Sequence, residues 1–239
     1  MRAPAYDHEL ALKELAERDA KLGRLIERAG PFTLKLTTAL SPFEALLESI
    51  VYQQLHGKAA AAIHARLLDS FAEPGPGGSV LHPAAHPTAE HLLAAPNEQL
   101  RLAGLSHNKA LAIRDLAAKT LDGTVPTLAR IRRMPDEEII EKLTQVRGIG
   151  TWTVEMFLMF RLGRPDVLPV SDYGVRKGFA LTFGKLKATD KVGAADLPKP
   201  AEMEKRAKKW QPWRSVASWY LWRACDLAKP DAVATKQPE

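Results

Sequence analysis

Two glycines separated by one residue, Gly148 and Gly150, divide two apolar helical stretches in the second half of the chain. A turn this short exposes backbone N–H groups at the start of the second helix, where they and the helix dipole favour a phosphate oxygen. Glycine also removes side chains that would keep a nucleic-acid strand away from the backbone. Gly-x-Gly turns also join helices that bind nothing. The apolar helix ending at Leu143 and Val146, together with the apolar helix after the turn, favours a phosphodiester-binding hairpin centred on Gly148-Ile149-Gly150.

Apolar residues recur at helical spacing along most of the chain. The series Phe43, Leu46, Leu47, Ile50 and Val51 follows the i, i+3, i+4, i+7, i+8 spacing of an amphipathic helix. Further helices are predicted after Gly57 and at 7–28, 88–94, 97–103, 107–121, 127–133, 136–145, 152–161, 173–183, 201–209 and 213–228. Only the segment 32–36 alternates like a strand. The pattern therefore predicts an all-α protein.

Charge and cysteine content narrow the function classes. A formal net charge of +6 fits an anionic partner, although many basic proteins bind no nucleic acid. The single cysteine, Cys225, excludes an internal disulfide and a cysteine-rich zinc or iron–sulfur site. No run approaches the roughly 20 apolar residues of a membrane span, and the start of the chain does not resemble a signal peptide. We expect a soluble protein without a membrane partner, in the bacterial cytoplasm at the nucleoid or, if eukaryotic, in the nucleus.

One acidic residue, Asp172, follows the second helix of the hairpin, and two cations, Arg176 and Lys177, come soon after it. A carboxylate placed near a strand held by the hairpin indicates chemistry on a nucleic acid. Asp172 also stands where a helix beginning at Tyr173 needs an N-cap, so capping alone is the alternative. The two roles are compatible, because a helix N-terminus favours the ionised carboxylate.

Several blocks carry a family resemblance. The run LTQVRGIGTWTVEMFLMF, followed by GRPDVLPVSDYGVRKG, resembles the helix-hairpin-helix, Gly/Pro…Asp (HhH-GPD) superfamily of DNA base-excision glycosylases. Within it the chain most resembles the 3-methyladenine DNA glycosylase II family, which removes alkylated bases. The resemblance spans about 7–228 and includes SIVYQQLHGKAA, LRLAGLSHNKALAIRDLA and PWRSVASWYLWR.

The resemblance assigns the catalytic carboxylate to Asp172. Cleavage of an N-glycosidic bond builds oxocarbenium character on the sugar, which a fixed carboxylate stabilises, and the same group can orient or deprotonate water. Asp166 is interpreted as structural, and Ser171 stands where relatives often carry a second acid. Bifunctional lyases of the superfamily carry a Schiff-base lysine at the position of Trp152, so we expect a monofunctional glycosylase.

The resemblance also implies a base pocket and a wedge. Trp152 and Trp222 match indoles that line the pocket for the flipped base, and Met156 replaces a frequent tyrosine, which leaves the base range open. Gln54 is the expected wedge that fills the gap in the duplex, with Leu55 as the alternative. Further DNA contacts are predicted for the hairpin and for nearby positions, namely Gly148, Ile149, Gly150, Arg147, Thr151, Ser106, Lys109 and Lys177.

By the same resemblance, the backbone carbonyls of Thr144, Val146 and Gly148 are candidate ligands of a structural Na⁺ or K⁺, and no organic or redox cofactor is implied. We expect two helical subdomains with the active site in the cleft between them. One covers 43–160 and contains the hairpin (136–161), the other joins 1–42 to 161–230, and 231–239 forms a flexible tail. We expect a monomer that acts on damaged double-stranded DNA. The alternatives are a glycosylase for deaminated, etheno or oxidised bases and a non-catalytic DNA-binding module.

Overall fold

The computed structural model describes residues 2–37, 41–72, 86–184, 186–187 and 193–229. Their helices are α1 (His8–Arg18), α2 (Ala20–Ala29), α3 (Pro42–Tyr52), α4 (Gly57–Asp69), α5 (Ala89–Ala94), α6 (Asn97–Leu102), α7 (His107–Leu121), α8 (Leu128–Ile131), α9 (Asp136–Leu143), α10 (Thr151–Phe157), α11 (Tyr173–Phe183), α12 (Pro200–Ala207) and α13 (Arg214–Leu227). A π-helical turn, Leu158–Leu162, continues α10, and short 3-10 turns occupy Ala194–Asp196 and Lys208–Trp210.

The all-α prediction is confirmed. The segment 32–36, which alternates like a strand, contributes only an isolated antiparallel bridge between Arg2 and Leu36. No helix within the described ranges has both the length and the apolar character needed to cross a membrane. The predicted tail, 231–239, lies outside the described residues.

The chain divides into two compact units. Unit 1 comprises Met1–Thr38 and Glu155–Glu239, and unit 2 comprises Ala39–Val154. The hairpin turn therefore belongs to unit 2 and Asp172 to unit 1.

In unit 2, α7 packs against α3 and α5. Helix α3 starts with a capping box, in which the Ser41 hydroxyl accepts from the Glu44 amide and the Glu44 carboxylate accepts from the Ser41 amide. Pro42 at the first helical position fits this start, because its missing N–H would have no helical partner there. The buried face of α3 includes Leu46, Leu47, Ile50 and Val51, as the spacing predicted.

In unit 1, α11 and α13 pack against each other, and α2 packs on both. A Cβ atom at Gly178 of α11 would lie 1.8 Å from the backbone oxygen of Leu221 in α13, so the close approach of these helices requires glycine. The surrounding core includes fully buried Trp210 and Tyr220. This packing fixes α11, whose first residue follows Asp172, against the helix that carries Trp222.

A buried acidic residue ties the N-terminal helices of unit 1 to its C-terminal part. Asp19 is 2% exposed and accepts hydrogen bonds from Arg206 at 2.8 Å and from the Trp210 indole at 3.0 Å, and it pairs with Lys209. Burial alone would raise the pKa of Asp19, but the donors from Arg206, Lys209 and Trp210 outweigh it and lower the pKa to about 2. The carboxylate therefore stays charged, and it links the N-terminal helices to the segment that carries Arg206, Lys209 and Trp210.

Candidate active site and nucleic-acid interface

The hairpin consists of α9, the turn 144–150 and α10. Gly148 adopts a left-handed conformation, with φ of 78°, which glycine tolerates without strain. Ile149 is 4% exposed, so its side chain anchors the turn in the core of unit 2 and only its backbone can reach a ligand. Gly150, Arg147 and Thr151 are exposed, and a Cβ added at Gly150 would meet no atom within 4 Å. The first turn of α10 thus begins at an open surface, where helix geometry leaves N–H groups without helical acceptors.

Two side chains from other parts of unit 2 hold the backbone of this turn. Asp115 of α7 accepts a hydrogen bond of 2.7 Å from the Arg147 amide, and the Gln53 side-chain amide donates to the Gly148 carbonyl at 2.8 Å. Burial opposes ionisation of Asp115, but donors from Lys119 and the Arg147 amide prevail and lower its pKa. Neither Asp115 nor Gln53 is among the predicted site residues, since a contact between positions 32 or 95 apart in sequence leaves no local signal.

The wedge turn, residues 53–56, connects α3 to α4. Gln54 has φ of 57°, a left-handed conformation that is uncommon for a residue other than glycine, and its side chain is exposed. Leu55 is 38% exposed. The structure thus presents both wedge candidates at the surface of unit 2, and which one enters the duplex stays a prediction. Strained backbone of this kind concentrates at functional sites.

Lys109, a predicted DNA contact, binds a backbone carbonyl of the protein in this structure. Its ammonium donates to the Val51 carbonyl at 2.6 Å and so caps the C-terminal end of α3 before the wedge turn. Burial lowers the pKa of Lys109. Ser106 is the N-cap of the same helix, α7, and its hydroxyl accepts from the Lys109 amide. In this structure both residues cap helix ends in unit 2. Their contact with DNA stays a prediction.

Asp172 is the N-cap of α11, and two donors hold its Oδ1 atom. Oδ1 accepts hydrogen bonds of 2.8 Å from the Val175 amide and 2.8 Å from the Trp222 indole N–H. A Cβ at Gly174 would lie 2.7 Å from the Trp222 ring and 3.2 Å from Oδ1 of Asp172, so only glycine leaves room for this pairing. We call Asp172, Gly174 and Trp222 the carboxylate site. These two charge-assisted hydrogen bonds fix the orientation of the side chain.

Trp222 therefore orients Asp172, in addition to its predicted place in the base pocket. Its indole stacks on Phe160 of the π-helical turn, with ring centroids 5.7 Å apart and planes inclined by 29°. The half-buried ring is thus held on one face while its N–H orients Asp172. The sequence resemblance indicates the indole and gives no sign of this hydrogen bond.

The remaining predicted pocket residues lie on α10. Trp152 is 45% exposed and belongs to unit 2, and Met156 is half-buried and belongs to unit 1. The two positions are four residues apart on one helix and so share a face. That Trp152, Met156 and Trp222 line one pocket stays a prediction.

Two other acidic residues of unit 1 differ in environment. Asp166 accepts two hydrogen bonds from the Arg214 guanidinium, at 2.7 and 2.9 Å, which fits its structural interpretation. Glu155 is 8% exposed, and its pKa is raised to about 7, first by burial and then by the charge of Asp172. Glu155 is not among the predicted site residues, because one acidic residue in an otherwise apolar helix carries no local sign of its partners.

Metal binding has one candidate site. No group of His, Cys, Asp and Glu among the described residues is arranged to hold a metal ion. Of the hairpin carbonyls, that of Val146 accepts from the Ile149 amide at 3.0 Å and that of Gly148 accepts from Gln53. A carbonyl oxygen has two lone pairs, so both could also bind a hard cation, with Thr144 as the third ligand.

Comparison with known proteins decides the family. The sequence profile of the HhH-GPD superfamily of base excision DNA repair proteins matches residues 47–212. The chain belongs to this superfamily. The match covers the wedge turn, the hairpin and Asp172, and it confirms the resemblance found in the sequence.

Individual members of this superfamily resemble the chain in both sequence and fold. DNA-3-methyladenine glycosylase 1 of Schizosaccharomyces pombe is 33% identical over 220 residues, which cover 92% of this chain and 87% of the relative. A solved structure of a 3-methyladenine DNA glycosylase from the same yeast, in complex with abasic DNA, aligns with a TM-score of 0.68 at 32% identity, over 89% of this chain and 95% of that one. The structure of a DNA-3-methyladenine glycosidase from Bacillus halodurans aligns with a TM-score of 0.74 at 33% identity, over 93% and 91%.

Proposed function

We propose that this chain is a monofunctional DNA glycosylase that excises alkylated bases of the 3-methyladenine type from duplex DNA. The observation that carries the proposal is the carboxylate site, in which the Asp172 carboxylate is held by a backbone N–H and an indole N–H at the start of α11. A DNA-binding module needs no such group. The names of the relatives, which are DNA-3-methyladenine glycosylases, support the substrate class.

The chemistry follows from the positive charge that the alkylated base carries and that develops on the sugar as the bond breaks. Alkylation at N3 or N7 makes a purine cationic, so the bond from C1′ to the base nitrogen breaks with its electron pair going to the base. The sugar gains oxocarbenium character, which the fixed Asp172 carboxylate stabilises. A water oxygen then bonds to C1′, and its proton passes to a carboxylate and on to solvent. The products are a free base and an abasic site.

The absence of lyase activity is part of the proposal. Strand cleavage by a superfamily lyase starts from a lysine amine that forms a Schiff base with the sugar. Here that position holds Trp152, whose indole nitrogen is not a nucleophile. We therefore expect the abasic strand to stay intact until alkali is added.

Met156 favours a second candidate function, a glycosylase of the same fold for deaminated, etheno or oxidised bases. A thioether is less electron-rich toward a cation than a phenol ring, so the preference for cationic bases, worth about 0.5–2 kcal/mol per aromatic contact, would be weaker. A broader base range would then follow.

A panel of duplexes tests both candidates, each duplex carrying one lesion: 3-methyladenine, 7-methylguanine, 1-methyladenine, ethenoadenine, hypoxanthine or uracil. We expect release of 3-methyladenine and 7-methylguanine, and no strand nick without alkali. Release confined to ethenoadenine, hypoxanthine or uracil would favour the second candidate. No release from any duplex, with DNA binding retained, would favour the non-catalytic module.

We further propose that the protein acts as a monomer, and that the carbonyls of Thr144, Val146 and Gly148 hold a monovalent cation when DNA is bound. Such an ion would add positive charge next to the phosphate. Its ligands here would be backbone oxygens alone, which suits a hard cation.

A further inference from the structure

Glu155 is a buried carboxyl without a complete set of partners. It is 8% exposed, and its Oε2 has no hydrogen-bond donor in the described part of the structure. Buried polar oxygens in folded proteins are nearly always hydrogen-bonded, so each exception calls for an explanation. Glu155 also immediately precedes the predicted pocket residue Met156 and lies three residues before the π-helical turn Leu158–Leu162, and such turns are frequent at functional sites.

The charge that acts on Glu155 comes from the catalytic candidate. Burial and, next, the negative charge of Asp172 at the start of α11 raise the pKa of Glu155 to about 7. Asp172 also acts on the Cys225 thiol of α13, whose pKa is raised mainly by burial; Lys177, Asp226 and Lys229 act on the same thiol. Glu155 and Asp172 are thus two carboxyls that interact electrostatically within unit 1.

A purely structural role does not explain a carboxyl at this position. Glutamine has nearly the same shape, would fill the same space and would feel no repulsion from Asp172. A carboxyl, in contrast, gives the region a charge that changes with protonation. Active sites that place two carboxyls in environments of different proton affinity commonly divide their roles in this way.

We propose that Glu155 is a second functional carboxyl of the carboxylate site, which sets the negative charge available beside Asp172. When Glu155 is protonated, Asp172 is the one negative group of the pair. When Glu155 loses its proton to solvent, a second negative charge faces the sugar on which positive charge develops. Glu155 is a positioning residue in this scheme, because it acts through the field at the site and touches no reacting atom. The inference rests on the proposed glycosylase function.

The test compares the wild type with Glu155→Gln, using single-turnover release of 7-methylguanine from a duplex at saturating enzyme. For the wild type we expect the rate constant to rise about tenfold between about pH 6 and pH 8, as the second carboxyl ionises. Glu155→Gln should keep the low-pH rate and lack the rise. The control Glu204→Gln, which changes an exposed glutamate of α12, should follow the wild type.

Stability gives a readout that is independent of base release. The protonated form of Glu155 is the one favoured in the folded state, so its contribution is fully present below the pKa of an unfolded glutamate and is lost as pH rises through about 7. The melting temperature of the wild type should therefore fall relative to that of Glu155→Gln over this range. A carboxyl resonance of Glu155 that titrates at the ordinary glutamate pKa in NMR would overturn the proposal.

The outcomes separate this inference from the proposed function. An active wild type whose pH–rate profile is unchanged in Glu155→Gln would overturn the role of Glu155 alone. A uniform loss of rate in Glu155→Gln at every pH would also overturn it, since ionisation would then not be the cause. If the wild type releases no base at any pH, the glycosylase proposal fails, and the melting and NMR titrations still decide whether Glu155 holds its proton to near neutral pH.

Discussion

The hairpin and the carboxylate site are built in opposite ways. In the hairpin, the side chains of Asp115 and Gln53 reach in from other elements to hold backbone groups, and the exposed turn presents glycine backbone. In the carboxylate site, a backbone N–H and an indole hold one side chain, that of Asp172. Under the proposed function, binding to a phosphate strand would depend on main-chain shape, whereas bond cleavage would depend on one oriented carboxylate. The two properties should be separable by mutation.

The largest effect is expected for Asp172→Asn. Asparagine is as good an N-cap as aspartate, so α11 should keep its start, while the negative charge at the sugar is lost. We expect single-turnover base release to fall at least about 100-fold, with DNA affinity and melting temperature unchanged. Glu204→Gln serves as the control for loss of a carboxylate elsewhere in unit 1. Near-normal base release by Asp172→Asn would remove Asp172 from the reaction.

An intermediate effect is expected for Trp222→Phe, which keeps an aromatic ring and removes the N–H donor to Asp172. A hydrogen bond to a charged group contributes about 1.5 kcal/mol or more, so the rate should fall about tenfold or more. The rate of base release is measured at saturating enzyme, once with a duplex carrying a cationic lesion and once with a duplex carrying a neutral lesion. An equal loss for cationic and neutral lesions would indicate the orienting role. A loss confined to cationic bases would instead assign Trp222 to stacking alone.

The smallest effect is expected for a matched pair in the hairpin. Gly150→Ala adds a methyl group that meets no protein atom, so the melting temperature should stay the same while DNA affinity falls about threefold to tenfold. Gly148→Ala forces alanine into φ of 78° and should destabilise the fold by about 1–2 kcal/mol. Urea melts and equilibrium binding to an undamaged duplex measure the two quantities. Wild-type affinity in Gly150→Ala would show that the strand does not approach this backbone.

Sequence reasoning reached the fold and the family because both leave local signals. Helical spacing and the Gly148-Ile149-Gly150 turn depend on neighbouring residues alone, and the structure bears out the all-α prediction. The partners of the site could not be reached in the same way. The bond from Trp222 to Asp172 joins residues 50 positions apart, and the tie from Gln53 to Gly148 joins residues 95 apart.

The surroundings of Lys109 and Glu155 could not be predicted from the sequence either. Neither charged residue carries a local sign of its surroundings in the sequence. In the folded chain the lysine ammonium binds the Val51 carbonyl, and the glutamate lies in the interior near Asp172. Tertiary packing decides which charges are buried, and one sequence does not contain that information in local form.

The central claim, that the hairpin binds DNA and the carboxylate site cleaves the bond, is tested most directly by one paired measurement. The dissociation constant for a 7-methylguanine duplex and the single-turnover rate at saturating enzyme are determined for the wild type, Asp172→Asn and Gly150→Ala. The account predicts a crossed pattern, in which Asp172→Asn loses rate and keeps affinity while Gly150→Ala loses affinity and keeps rate. A loss of the same parameter in both variants would contradict it.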